Sequence, residues 1–205
     1  MLDNTVGRVN FDIEPRSTLP IHDVMDVVQT IRESTHPIIL AGNAIIRTNS
    51  SDELYAFADK NNIAVITSFQ GKGSFPPNHP LYLGTASRHV PTISKLFEKA
   101  DLLINFGYDL TEGVEPITWG REKKIVHIDT AEPLGSSHYT PTVQLYGDIK
   151  KYLNSLFSAD IGNKWSKDEI DGLKKSVLPE PEIGQESVVS HPRNVVKVLN
   201  EVIPK

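Results

Sequence analysis

The sequence predicts an α/β protein built as a three-layer open parallel sheet with helices on both faces. Three observations carry this. Short continuous apolar runs such as HPIILAGN (36–43) recur along the chain, as strands buried on both faces require. Between them lie segments with apolar residues every three or four positions, the helical repeat. The connections are too long for hairpins, so successive strands run parallel with helical crossovers.

The elements follow in order. Residues 1–18 are irregular and read as a linker between domains. From Leu19-Pro20, residues Ile21, Val24, Met25, Val28 and Ile31 place one apolar face on a helix. HPIILAGN is a strand stopped by Gly42. Ser50-Ser51-Asp52-Glu53 opens a helix with polar caps and early acids, and Leu54, Phe57 and Ala58 form its apolar stripe. Ile63–Thr67 is a strand, followed by the loop GKGSFPPNHPLYLG (71–84). Ile93, Leu96, Phe97 and Ala100 mark a helix, and Leu102–Phe106 a strand ending at Gly107. Lys124–Asp129 and Val143–Tyr146 are further strands. Gly147-Asp148 opens a helix carrying Ile149, Tyr152, Leu153 and Leu156.

The main domain is therefore expected over 19–160, with a helix and linker over 161–190. Gly172 weakens the helix expected at Lys164–Val177, and LPEPEIGQES (178–187) has the composition of an exposed linker. Residues 191–205 form an amphipathic helix whose apolar residues Val195, Val196, Val198, Leu199 and Val202 require a partner elsewhere.

At 205 residues there is room for one α/β domain with a sizeable core and a trailing segment. Hydrophobic residues make up 39% and charged residues 23%, as in ordinary soluble globular proteins. The net charge of -5 argues against nucleic acid and anionic membrane as partners, since both need a basic surface. The absence of cysteine excludes disulfides and thiolate metal sites. The N-terminal stretch has no apolar signal core, and no run approaches the roughly 20 apolar residues of a membrane span. A cytoplasmic location is expected.

Two phosphate motifs fail in the GKGSFPPNHPLYLG loop. A P-loop needs glycine at position 66, where Ile66 stands, and Ser or Thr after Lys72, where Gly73 stands. The dinucleotide fingerprint fails at Pro76. The glycines and prolines read instead as turn formers. Gly42-Asn43-Ala44, Gly84-Thr85-Ala86, Arg88, Gly107-Tyr108 and Asp129 fall at or near strand ends or before the next helix. In open parallel sheets the ligand crevice lies at the carboxyl ends of the strands, where backbone N–H groups suit a diphosphate and Asp129 a ribose hydroxyl. These ten residues are the candidate nucleotide contacts; the alternative is that they are the small residues every α/β domain carries there. His127 and Asp129 share a strand face, but no third metal ligand accompanies them, and packing is the favoured reading. Asp109, Glu112 and Glu115 read as a solvated acidic loop before Pro116 and Trp119 rather than an acid–base pair. No G-x-S-x-G elbow exists, and no catalytic residue or metal ligand is assigned.

The ordered series from HPIILAGN through GKGSFPPNHPLYLG, ADLLINFGYDL and KIVHIDTAEP resembles the central domain of thiamine diphosphate-dependent enzymes. The best match is the acetolactate synthase large subunit. GYDLTEGVEPITW and HYTPTVQLYGDI look like its catabolic branch, and the resemblance covers Leu19 to Leu156. It implies a Rossmann-like sheet of about six strands that supports two other domains. The first of those supplies a glutamate to the cofactor, and the third a Gly-Asp-Gly motif for magnesium and the diphosphate. That motif is missing from this chain, and residues 191–205 resemble the third domain's first helix. The resemblance thus implies a noncatalytic central domain. Its full-length enzyme would hold thiamine diphosphate and magnesium, form a homodimer or homotetramer, and condense decarboxylated pyruvate with a 2-oxo acid.

Some members bind FAD in this domain. Here Gly42-Asn43-Ala44 replaces three glycines, and Asp109 and Gly113 stand where FAD binders carry arginines, which weighs against FAD. The alternatives are a free-standing domain for FAD, NAD or ADP, the central domain of a related oxidase or 2-oxo acid decarboxylase, and a purely structural module.

Overall fold

A computed structural model describes residues 23–86, 92–112, 123–132, 139–177 and 192–203. Strands β1 (Pro37–Ala41), β2 (Ala64–Thr67), β3 (Tyr82–Thr85), β4 (Leu102–Phe106), β5 (Lys124–Asp129) and β6 (Val143–Tyr146) form one sheet in the order β3-β2-β1-β4-β5-β6. Every pairing is parallel. The order reverses between β1 and β4, the topological switch point of a Rossmann-like sheet.

The apolar runs become the core for the reason the sequence indicates. Every residue of β1, β2 and β4 is buried, so neither face of these strands meets water. Each fully buried Ile, Leu or Val contributes about 1.5–3 kcal/mol. The sixth strand, β3, is the edge strand that residue pattern alone does not mark. It has four residues, its register against β2 is irregular, and Gly84 within it has φ 105.

Helices α1 (Val24–Glu33), α2 (Asn43–Arg47), α3 (Ser51–Asn61) and α5 (Ile149–Ser158) pack as one group, and α4 (Thr92–Lys99) with α6 (Lys167–Val177) as another. Capping explains where several begin. Asp23 accepts the N–H groups of Met25 and Asp26, and the Asp26 carboxylate returns the favour to the Asp23 N–H, a reciprocal box. Asp148 caps α5 through the Lys151 N–H. Ser166 and Glu169 do the same for α6.

Two details differ from the periodicity. Helix α1 buries Val27, Val28 and Ile31, while Met25 is 61% exposed, so its core face is rotated away from Met25. Ser50 precedes α3, but its hydroxyl meets Thr48 and does not cap the helix.

Helix α6 forms despite Gly172 and buries Ile170 and Leu173. The segment leading into it is tied to the sheet, because the buried Trp165 indole N–H donates to the Pro37 carbonyl at 2.7 Å. Helix α7 (Pro192–Val202) exposes Val195, Val196, Val198, Leu199 and Val202. Among the described residues no helix is long and apolar enough to cross a membrane.

Candidate functional site

The carboxyl ends of β1, β2 and β4 meet at the switch point. Gly42 follows β1, Ser68 follows β2, and Gly107 follows β4. The two glycine turns interlock through the backbone. Gly42 N–H donates to Phe106 O at 2.9 Å, and Ala44 N–H to Gly107 O at 3.0 Å. A Cβ on Gly42 would lie 2.2 Å from the Gly107 oxygen and 2.4 Å from Tyr108 Cα. Gly71 closes the third side, since a Cβ there would meet Ala41 O at 2.4 Å. Only glycine permits such approaches, and at Gly107 a φ of 60 adds a conformational reason.

Glu112 lies at the centre of these turns. It ends the short 3-10 turn Leu110–Glu112, and only 4% of it is exposed. Its Oε1 accepts Asp109 N–H at 2.9 Å, and Asn43 N–H lies 3.1 Å from Oε1 and 3.0 Å from Oε2. The Ser68 hydroxyl donates to Oε2 and itself accepts Gly71 N–H at 2.9 Å. One carboxylate thus ties together the loops after β1, β2 and β4. The reading of Glu112 as a solvated loop acid is corrected here: a buried carboxylate persists because three donors converge on it. Asp109 has a different task, accepting the Thr111 N–H and hydroxyl at 2.8 Å to shape the turn.

The remaining candidates separate by position. Asn43, Ala44, Gly107 and the fully buried Tyr108 are brought together with Gly42 at the switch point. Gly84, Thr85 and Ala86 lie on and after edge strand β3, with β2 between them and β1. There the Thr85 hydroxyl shares hydrogen bonds with Thr67 and Tyr82. Asp129 ends β5 and is 7% exposed. Burial raises its pKa, opposed by the Thr130 N–H and hydroxyl and by the Arg47 charge, with Asp109 adding to the rise. Arg88, Gly113, Glu115, Pro116 and Trp119 lie outside the described residues.

A polar row that includes His127 crosses β4, β5 and β6. Asn105, His127 and Gln144 pair in register on neighbouring strands. The Asn105 amide donates to the Tyr139 oxygen at 2.6 Å, and that oxygen lies 2.7 Å from His127 Nδ1. Burial lowers the His127 pKa to about 4, against a smaller upward pull from the Asp109 charge.

The residues do not fit a bound FAD diphosphate. The Asn43 and Asp109 N–H groups are engaged by Glu112, and the Gly42 turn is filled by the Gly107 backbone. Asp148 of the Gly147-Asp148 pair is engaged as the α5 cap. Among the described residues no three His, Cys, Asp or Glu side chains converge as metal ligands.

Fold and crevice together define a Rossmann-like α/β domain whose switch point is packed by its own residues. The family description "Thiamine pyrophosphate enzyme, central domain" matches residues 24–156, and the chain belongs to that family. It is 30% identical over 188 residues to the "Probable acetolactate synthase large subunit" of Methanocaldococcus jannaschii, covering 88% of this chain and 32% of that protein. It is 28% identical over 201 residues to the acetolactate synthase large subunit of Corynebacterium glutamicum, covering 92% and 32%. The crystal structure of benzoylformate decarboxylase from Polynucleobacter necessarius matches with TM-score 0.67 at 20% identity, over 100% of this chain and 38% of that one, and so shares the fold. The chain spans about a third of the length of the curated relatives it matches.

Proposed function

We propose that this chain is the noncatalytic central domain of an acetolactate synthase-like enzyme. The full-length enzyme decarboxylates pyruvate and joins the two-carbon fragment to a second 2-oxo acid. The observation that carries this reading is the family match across the whole sheet, from α1 to α5, together with relatives that are acetolactate synthases. Thiamine diphosphate, when bound, supplies the carbon nucleophile and the electron sink for decarboxylation. It is held with magnesium by N- and C-terminal domains outside this chain, in a cytoplasmic homodimer or homotetramer.

This chain's own residues support those domains. The Gln70–Phe75 loop is presented towards the active-site entrance, with Phe69 beside it 71% exposed. Residues 1–18 link to the domain before. Residues 191–205 belong to the cofactor-binding domain, whose surface would cover the exposed Val195, Leu199 and Val202 of α7. The strand order is shared with dinucleotide-binding sheets, and a second reading, a domain for FAD, NAD or ADP with Gly42, Gly84, Gly107, Arg88 and Asp129 as contacts, would rest on it; the engagement of the Asn43 and Asp109 N–H groups by Glu112 weighs against that reading.

The test is product analysis with pyruvate, thiamine diphosphate and magnesium. The full-length enzyme is expected to release carbon dioxide and acetolactate, and the 205-residue chain alone neither. Release of free aldehyde would move the assignment to a decarboxylase, and oxygen consumption to an oxidase. Turnover by the chain alone would overturn the noncatalytic reading.

A further inference from the structure

In a parallel sheet ordered β3-β2-β1-β4-β5-β6, a nucleotide's diphosphate sits at the switch point on backbone N–H groups of the strand-end turns. Two features of that crevice point elsewhere in this chain. The Asn43 and Asp109 N–H groups and the Ser68 hydroxyl all converge on the Glu112 carboxylate. The glycine turn that would let a phosphate approach is filled by the chain's own backbone, with no room for a methyl group on Gly42.

We propose that Glu112 is the built-in occupant of the switch-point crevice, a carboxylate that takes the donors a nucleotide phosphate would use and clamps the β1, β2 and β4 loops together. A carboxylate matches the phosphate's demand for converging donors and carries the same sign of charge. An incoming diphosphate would therefore have to expel Glu112 from its three donors and leave a buried charge unpaired, besides meeting repulsion from it. The charges of Asp109 and Asp129 act at the same end of the sheet, opposed there by Arg47. The clamp also gives Ser68 its role. By donating to Glu112 and accepting from Gly71, it fastens the start of the Gln70–Phe75 loop to the switch point.

Two measurements on the 205-residue chain test this. In amide NMR of the wild-type protein, the Asn43 and Asp109 resonances are expected to stay in place when ADP, FAD or inorganic pyrophosphate is added to millimolar concentration. A saturable shift of both amides would overturn the proposal. In Glu112→Ala the donors lose their carboxylate. Its Tm is expected to drop, and then to recover by a few degrees with formate or inorganic phosphate relative to chloride at equal ionic strength, while the wild type does not respond. A variant as stable as wild type, or one that no anion restores, would contradict the clamp. If Glu112→Ala does not fold, Glu112→Gln carries the comparison. It keeps the shape but loses the charge, and an unchanged Tm would refute an anionic occupant. None of these readouts involves acetolactate formation, so failure here is separable from failure of the proposed activity.

Discussion

The Gly107 carbonyl oxygen lies 2.2 Å from where a Cβ on Gly42 would be. The backbone at Gly42 is ordinary, with φ -100, so its glycine is required by contact and not by conformation. The atoms it meets are main-chain atoms of Gly107 and Tyr108, which cannot swing aside as a side chain would. Gly42→Ala is therefore expected to destabilise the domain by about 2–4 kcal/mol. Gly73→Ala is the control, because Gly73 has φ 99 but nothing within 4 Å, and should cost about 1 kcal/mol from backbone strain alone. Urea midpoints at constant m value measure both. Equal losses would show that the switch-point turns are looser than drawn.

Trp165 fastens the segment before α6 to the sheet. Its indole caps the Pro37 carbonyl and its ring packs edge-on against His36 at 4.6 Å, while His36 Nε2 pairs with Glu169 of α6 at 3.1 Å. Trp165→Phe keeps most of the apolar area and loses the hydrogen bond, an expected cost of about 1–2 kcal/mol. Gly172→Ala should stabilise by about 0.5–1 kcal/mol, since the position is helical and a Cβ there meets nothing within 4 Å. Thermal unfolding of a chain shortened to residue 177 should match the full chain, whereas shortening to 160 should lower Tm sharply.

Asp101 holds the chain entering β1. Burial alone would push its carboxyl up. The Ser34 hydroxyl, the Thr35 N–H and hydroxyl and the His36 N–H outweigh that and hold it down at about 2. A depressed carboxylate contributes stability above its unfolded pKa of about 3.9, lost as pH falls from there through about 2. Asp101→Asn should therefore flatten the acid limb of a stability–pH curve below about pH 4. At neutral pH it should cost about 1 kcal/mol, because the site is solvent-accessible and screened. A parallel curve would show that the four donors find other partners.

Much of this was legible for a simple reason. Strands β1, β2, β4, β5 and β6 are buried on both faces, or nearly so, and such strands announce themselves as apolar runs. Strand β3 is four residues at an edge with a glycine inside, so it carries no such run. Helix α2 is five residues held by tertiary contact, too short for a periodic signal. Glu112 was hidden by a rule that normally serves well, that loop acids are solvated. Its donors, Asn43, Ser68 and Asp109, come from three loops, two of them distant in sequence, and only the assembled sheet brings them together. The Asp101 clasp was hidden likewise, its partners lying 65 or more residues away.

His127 should imprint its own pH window. It is fully buried on β5 between Asn105 and Gln144, shares a hydrogen bond at Nδ1 with the Tyr139 hydroxyl, lies 6.1 Å from the Tyr146 ring, and feels the charge of Asp109. Protonating the ring would place a charge in the core. Burial holds the folded pKa at about 4, below the unfolded value of about 6.5. Between those values the unfolded chain binds more protons than the folded one. Stability is therefore full above about pH 6.5 and falls as the pH drops towards 4, by at most about 3.5 kcal/mol at about 1.4 kcal/mol per pKa unit. Asp129, whose pKa is raised, works in the opposite sense, gaining stability as pH falls through its folded value. The informative quantity is thus the difference between wild type and His127→Gln across pH 4–7. That difference is expected to shrink steadily towards acid, as the wild type loses its advantage and the variant, with nothing to protonate, does not. A difference independent of pH would mean that His127 titrates in the folded protein as it does in the unfolded one, and a difference that grows towards acid would mean that the fold favours its charged form.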